Sequence, residues 1–169
     1  MVCLTALQAE GQTFMLQHLT DSLFLLVLES PPLHGESQKG AGGRDIWRLP
    51  YPTYAFATGD VNGDGKTDAL VGVIKRTRFD AQPARRLFVF QQTHGRIRPL
   101  WLGSRLTGQL QDFRFEDGQV ITLEQDADSL WFVGCYNWDH FGFVQTSTRI
   151  HKASHAAAAR EFYRETTCR

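Results

Sequence analysis

"DVNGDGKTD" occupies residues 60–68, and what is made of it decides how the rest of the chain is read. Carboxylate and amide side chains fall at Asp60, Asn62, Asp64 and Asp68, with glycine at 63 and 65. Counted from Asp60, these are positions 1, 3, 5 and 9. Gly65 stands at position 6, where a sharp turn is needed, and Lys66 at position 7 has its backbone carbonyl to offer. Side chains at alternate positions of a tight loop converge on one point, and Ca²⁺ takes roughly six to eight oxygens at about 2.4 Å. An all-oxygen set without Cys or His favours Ca²⁺ over zinc or copper. The competing structure is an ion-free Asx/Gly turn, which Asn-Gly-Asp-Gly makes well. Three aspartates in so short a loop repel one another, and that weighs toward a cation.

The flanks exclude the helical calcium loop. An EF-hand needs a bidentate Glu at position 12 and a helix on each side. Position 12 is Val71, and the neighbours "YAFATG" and "ALVGV" are strand-like. A dockerin-type loop fails on the same two counts. Outward from the loop, strand follows strand: 13–19, 22–30, 53–59, 69–75, 85–92, 96–103, 110–116, 119–125, 129–138 and 141–148, with "IWRLP" ahead of the loop. Turn chemistry separates them. Asp117-Gly118 is a strong hairpin signal, and Thr20-Asp21, Thr93-His94-Gly95 and Asp139-His140 mark other turns. Residues 31–45 are Pro-, Gly- and polar-rich and read as a loop. Only "ASHAAAAREFYRE" (153–165) has helical composition. The expectation is an all-β chain of these short strands in sequential antiparallel hairpins, with a short C-terminal helix. Sandwich, barrel and propeller all satisfy that layout.

"GDVNGDGKTDALVGV" (59–73) resembles the FG-GAP/VCBS repeat of integrin-like β-propellers: a D-x-N-x-D-G-x-x-D loop between two strands, then an apolar strand ending in Gly. "IWRLP", "RRLFVFQQTHG" and Leu100-Trp101 are similar to the rest of one blade. The resemblance implies a calcium-binding blade over about 45–103, and a second blade-like four-strand unit over 110–148 that lacks the acidic loop, all in one domain of 169 residues. It implies Ca²⁺ on Asp60, Asn62, Asp64, the Lys66 carbonyl and Asp68. In such repeats the ion is structural. Closed propellers need at least four blades, so the expected architecture is an incomplete propeller. It is a fragment of a ring, a ring completed by association, or a degenerate assembly; an oligomer is compatible with this.

Composition narrows the function. Lys+Arg and Asp+Glu are both 18, and this balance gives no support for nucleic acid or an anionic membrane as partner. The basic stretches "KRTR" (75–78) and "ARR" (84–86) read as a solvated strand edge. "SLFLLVLES" is too short to span a bilayer. "MVCLTALQA" lacks a basic n-region, so no intact signal peptide is expected, and Cys3 is compatible with the remnant of a lipoprotein leader. Cys3, Cys135 and Cys168 show no zinc spacing. A Cys3–Cys168 bridge stays open. No G-x-S-x-G, H-E-x-x-H or P-loop is present. The function expected is a non-enzymatic, calcium-stabilised binding or scaffolding module with a protein or glycan partner. The resemblance implies an extracytoplasmic setting, periplasmic or at the cell surface. The alternative is a polysaccharide hydrolase or lyase using "CYNWDHFGF" (135–143), with Tyr136, Asp139, His140 and neighbouring carboxylates as acid/base groups. Trp138, placed outside the calcium-binding blade, is expected to be independent of the ion.

Overall fold

Runs of Val, Ile, Leu, Phe and Thr broken by Asp-Gly, His-Gly and Thr-Asp dipeptides fold as hairpins, because each turn fixes the register of the two strands it joins. In the computed structural model, residues 12–30, 43–78, 80–103 and 106–164 are described. The 31–42 part of the expected loop, Cys3 and Cys168 lie outside them. Eleven strands are found among these residues, the ten expected segments and one that carries most of "IWRLP", with one helix.

They form three antiparallel sheets, each a meander of sequence-adjacent strands. The first joins β1 (Thr13–Thr20), β2 (Leu23–Glu29) and β3 (Arg44–Leu49). β3 carries most of the "IWRLP" segment and pairs with β2, Ile46 opposite Val27. The second joins β4 (Thr53–Gly59), β5 (Asp68–Thr77), β6 (Asp80–Thr93) and β7 (Arg96–Leu102). The third joins β8 (Gln109–Glu116), β9 (Gln119–Gln125), β10 (Trp131–Asp139) and β11 (Gly142–Ala153). Helix α1 (His155–Phe162) follows, with Ser154 capping its first turn through the Ala157 N–H. The fold is all-β, and its four-stranded meanders are propeller-like blades.

The middle sheet is covered on both faces, which is why β5 reads as an unbroken apolar run rather than an alternating one. Ala69, Val71, Val73, Phe88 and Phe90 pack with Phe14, Leu26, Leu28 and Leu49 of the first sheet. Leu70, Leu87 and Val89 face the other way, onto Leu110, Phe113, Val120 and Tyr136 of the third. The far face of the third sheet, with Ile121, Leu123, Val133 and Cys135, is covered by Ala158 and Phe162 of α1. The Cys135 thiol is buried and free. The basic stretches lie in the β5–β6 hairpin, which runs longer than expected. Two of their cations sit on aromatic faces: Lys75 over Tyr51 at 4.6 Å and Arg85 over Tyr54 at 4.7 Å. No helix among the described residues is long and apolar enough to cross a membrane.

Candidate metal loop

The acidic loop closes the β4–β5 hairpin, with Gly59 opposite Asp68. Positive φ at Gly63 and Gly65, 74° and 78°, reverses the chain twice in three residues. Such φ values strain any residue with a Cβ. The reversals aim backbone N–H groups at the loop's own carboxylates. Asp60 Oδ1 accepts from Gly63 at 2.8 Å and Asp64 at 3.1 Å, and Oδ2 accepts from Gly65 at 2.9 Å. Asn62 Oδ1 accepts from the Asp64 N–H at 3.0 Å, and Asp64 Oδ1 from the Lys66 N–H at 2.9 Å. These bonds orient the oxygens and leave lone pairs over, because an ionised carboxylate has about four acceptor sites.

Asp68 differs from the other three. It begins β5, is fully buried, and accepts the Val61 N–H on Oδ2 at 3.0 Å. Its Oδ1 is buried with no hydrogen-bond partner. Burial pushes the Asp68 carboxyl up to about 6, opposed by the Val61 and Asn62 N–H groups, with the negative charges of Asp64 and Asp60 adding to the rise. An orphaned buried carboxylate oxygen costs free energy unless something cationic or a donor meets it. The donor set is oxygen alone, so it fits a hard cation in kind. Among the described residues, no three His, Cys, Asp or Glu side chains are drawn together closely enough to hold a metal. The loop therefore stands in the hydrogen-bonded Asx/Gly arrangement, with one unsatisfied oxygen at its base.

The third sheet reaches this loop. Phe115 packs so tightly under Gly59 that a Cβ there would come within 2.1 Å of the ring. Val61 is buried at the boundary of the two sheets. Asp60, Asn62 and Gly63 share an open cleft of about 490 Å³ with Phe115, Gly118, Asn137 and Trp138. Trp138 thus lies beside the loop although it belongs to another sheet. Its sequence distance hid this, as did that of Phe115; the only trace in the sequence is a glycine just ahead of Asp60.

The 135–143 segment does not bring Tyr136 together with Asp139 and His140. Tyr136 is buried, and its hydroxyl accepts from the Thr107 N–H at 3.3 Å. Burial and Glu124 raise its ionisation well above the usual phenol range. Asp139 and His140 bond each other at the solvent-exposed end of the β10–β11 hairpin. The three residues expected to act together point to different surroundings. No curated protein matches the chain. One family does: residues 53–73, running from β4 through the loop into β5, match the FG-GAP repeat.

Proposed function

We propose that the chain is a calcium-stabilised β-repeat protein acting as a non-enzymatic binding or scaffolding module outside the cytoplasm. The observation that carries the reading is the Asp68 Oδ1 atom, buried without a partner at the base of an all-oxygen loop. Asp60, Asn62, Asp64, the Lys66 carbonyl and Asp68 would hold the ion. Bound there, Ca²⁺ supplies positive charge to a carboxylate that burial otherwise disfavours. The chain's own residues do the rest. Asp60 gathers the N–H groups of Gly63, Asp64 and Gly65, so the loop is ordered before the ion arrives. Val61 anchors the loop in the boundary between the second and third sheets. Binding would therefore stiffen both sheets. The match of residues 53–73 to the FG-GAP repeat supports a module of this kind. An extracytoplasmic setting follows from the affinity such a loop is suited to. Extracellular calcium loops bind with dissociation constants of roughly 10⁻⁴–10⁻³ M, where the ion is millimolar.

Isothermal titration of Ca²⁺ into the chelator-treated chain tests the reading. The expected result is one site per chain, lost in Asp64→Ala, with Mg²⁺ much weaker. Absence of heat at millimolar Ca²⁺, or an Asp64→Ala variant that binds as well as the parent, rules the ion assignment out.

A further inference from the structure

The face of the third sheet turned toward the middle sheet is not apolar along its whole length. Thr122 and Glu124 of β9 are fully buried on it. They stand opposite Gly134 and Phe132 of β10. A buried carboxylate is expensive unless it is well bonded. The groups bonded to Glu124 are neutral: the Thr122 hydroxyl donates to Oε1 at 2.6 Å and the Gly108 N–H to Oε2 at 2.6 Å. The Tyr136 hydroxyl also bonds it, while accepting from the Thr107 N–H. Glu124 and Tyr136 together fix the backbone of 107–108.

That backbone is the wall of a cavity of about 240 Å³, whose other sides come from Gln109, Gln125, Phe132, Gln145 and Thr148. Gly108 is required in the wall, because a Cβ would come 2.7 Å from the Gln125 carbonyl oxygen and 2.8 Å from the Phe132 ring. The polar groups are already oriented. The Thr107 hydroxyl donates to Gln145 Oε1 at 2.8 Å, and Gln145 Nε2 donates to Thr148 Oγ1 at 2.9 Å.

The lining selects by chemistry. Among the described residues no lysine or arginine contributes to it, and its polar groups are amides, hydroxyls, one carboxylate and one imidazole. Its one carboxylate, Asp126, already takes the N–H groups of Asp128 and Leu130 on Oδ1, which is too little for a cation. Its imidazole, His151, is set edge-on to the Phe132 ring, 6.2 Å between centroids. Amides and hydroxyls around one largely buried aromatic ring, Phe132, suit a molecule with many neutral hydroxyls and a small apolar C–H surface. The volume is below the roughly 300–1,000 Å³ of drug-sized sites, so the occupant is small.

We infer that this cavity binds one residue of a neutral saccharide. Gln109, Gln145 and the 107–108 wall hydrogen-bond its hydroxyls, and Phe132 forms the apolar floor. Glu124 acts as a positioning residue that holds the wall. The inference deepens the binding-module reading by naming a ligand class, and it uses no residue of the calcium loop.

Saturation-transfer NMR on the full chain in Ca²⁺ tests it, with methyl glucoside, methyl galactoside and N-acetylglucosamine as probes and glucuronate and inorganic phosphate as controls. Transfer to at least one neutral sugar is expected, with affinity about tenfold weaker in both Gln145→Ala and Gln109→Ala, roughly one hydrogen bond's worth. The two substitutions lie on different strands, β8 and β11, so whichever variant retains the parent's circular dichroism spectrum decides. Glu124→Gln should weaken the sugar while leaving the calcium response intact. No transfer to any neutral sugar, parental affinity in the folded variants, or a preference for the anions overturns the assignment. A chain that answers to Ca²⁺ and ignores sugars loses the saccharide site and keeps the ion; the reverse outcome separates the two the other way.

Discussion

At Asp68 the burial of a single carboxyl sets how that group answers to pH. Its carboxyl ordinarily titrates near 3.8, and in the fold it is raised to about 6. The native state therefore holds the proton more tightly than the unfolded chain. Stability from this group is complete below about pH 4 and is lost as pH rises through about 6, a cost of about 3 kcal/mol. Urea titrations in chelator across that window should show the parent losing stability where Asp68→Asn does not. Calcium would reverse the trend, because it binds the ionised form. If parent and Asp68→Asn show parallel pH profiles without metal, the carboxylate is not strained by burial. The loop itself was plain in the sequence, since oxygen-bearing residues at alternate positions with glycine at position 6 are local information. That Asp68 is fully buried while Asp60 is half-buried and Asp64 exposed was not, because burial is set by strands far away in the chain. Glu124 was missed for the same reason: nothing within β9 shows that the Thr107–Gly108 backbone folds over its carboxylate.

At the level of elements, the hairpins followed their turn residues. Asp117 and Gly118 take φ of 50° and 77°, the doubly left-handed turn that Asp-Gly favours. Gly118→Ala meets no side chain, so it should cost only backbone strain, about 1–3 kcal/mol in a denaturant melt. Gly59 is constrained differently. A methyl there would strike the Phe115 ring, and Gly59→Ala should cost about 1–3 kcal/mol through overpacking. Pairing it with Phe115→Leu should recover part of that loss. Strict additivity of the two in a double-mutant cycle would mean that β4 and β8 do not share this contact. What sequence could not supply was strand length. β6 runs from Asp80 to Thr93, past Pro83, through a stretch whose arginines and proline look like a loop. Tertiary stacking of Lys75 and Arg85 on aromatic rings accompanies the longer hairpin. The first sheet's third strand was likewise hard to place, because "IWRLP" suits an edge of either neighbouring sheet.

On the scale of the molecule, three sheets lie face to face and a helix closes one end of the stack. The all-β class and the short C-terminal helix were legible from spacing and composition. The order of layers was not, since it depends on which face each strand turns inward. Phe162 is buried against the third sheet, 1% exposed, and Phe162→Ala should cost about 3–5 kcal/mol. That loss should be read as a lower unfolding midpoint with the calcium shift retained, because α1 does not touch the loop's cleft. The cleft that Trp138 shares with Asp60 and Asn62 gives a direct optical handle. Calcium should change the Trp138 emission, and a Trp138→Phe chain should lose that change. An identical spectral response without Trp138 would place the reporter at another tryptophan.

The central claim is that the 60–68 loop is a calcium site whose occupancy stabilises the whole stack. Its most direct test is thermal unfolding in excess EGTA, in Mg²⁺, and in millimolar Ca²⁺. At a free-ion concentration 100 times the dissociation constant, linkage gives about 2.7 kcal/mol of added stability. The expected result is an upward shift of that order with Ca²⁺ alone, abolished in Asp64→Ala. An unfolding midpoint that is the same in EGTA and in Ca²⁺ would contradict it, and would leave the loop as an ion-free turn.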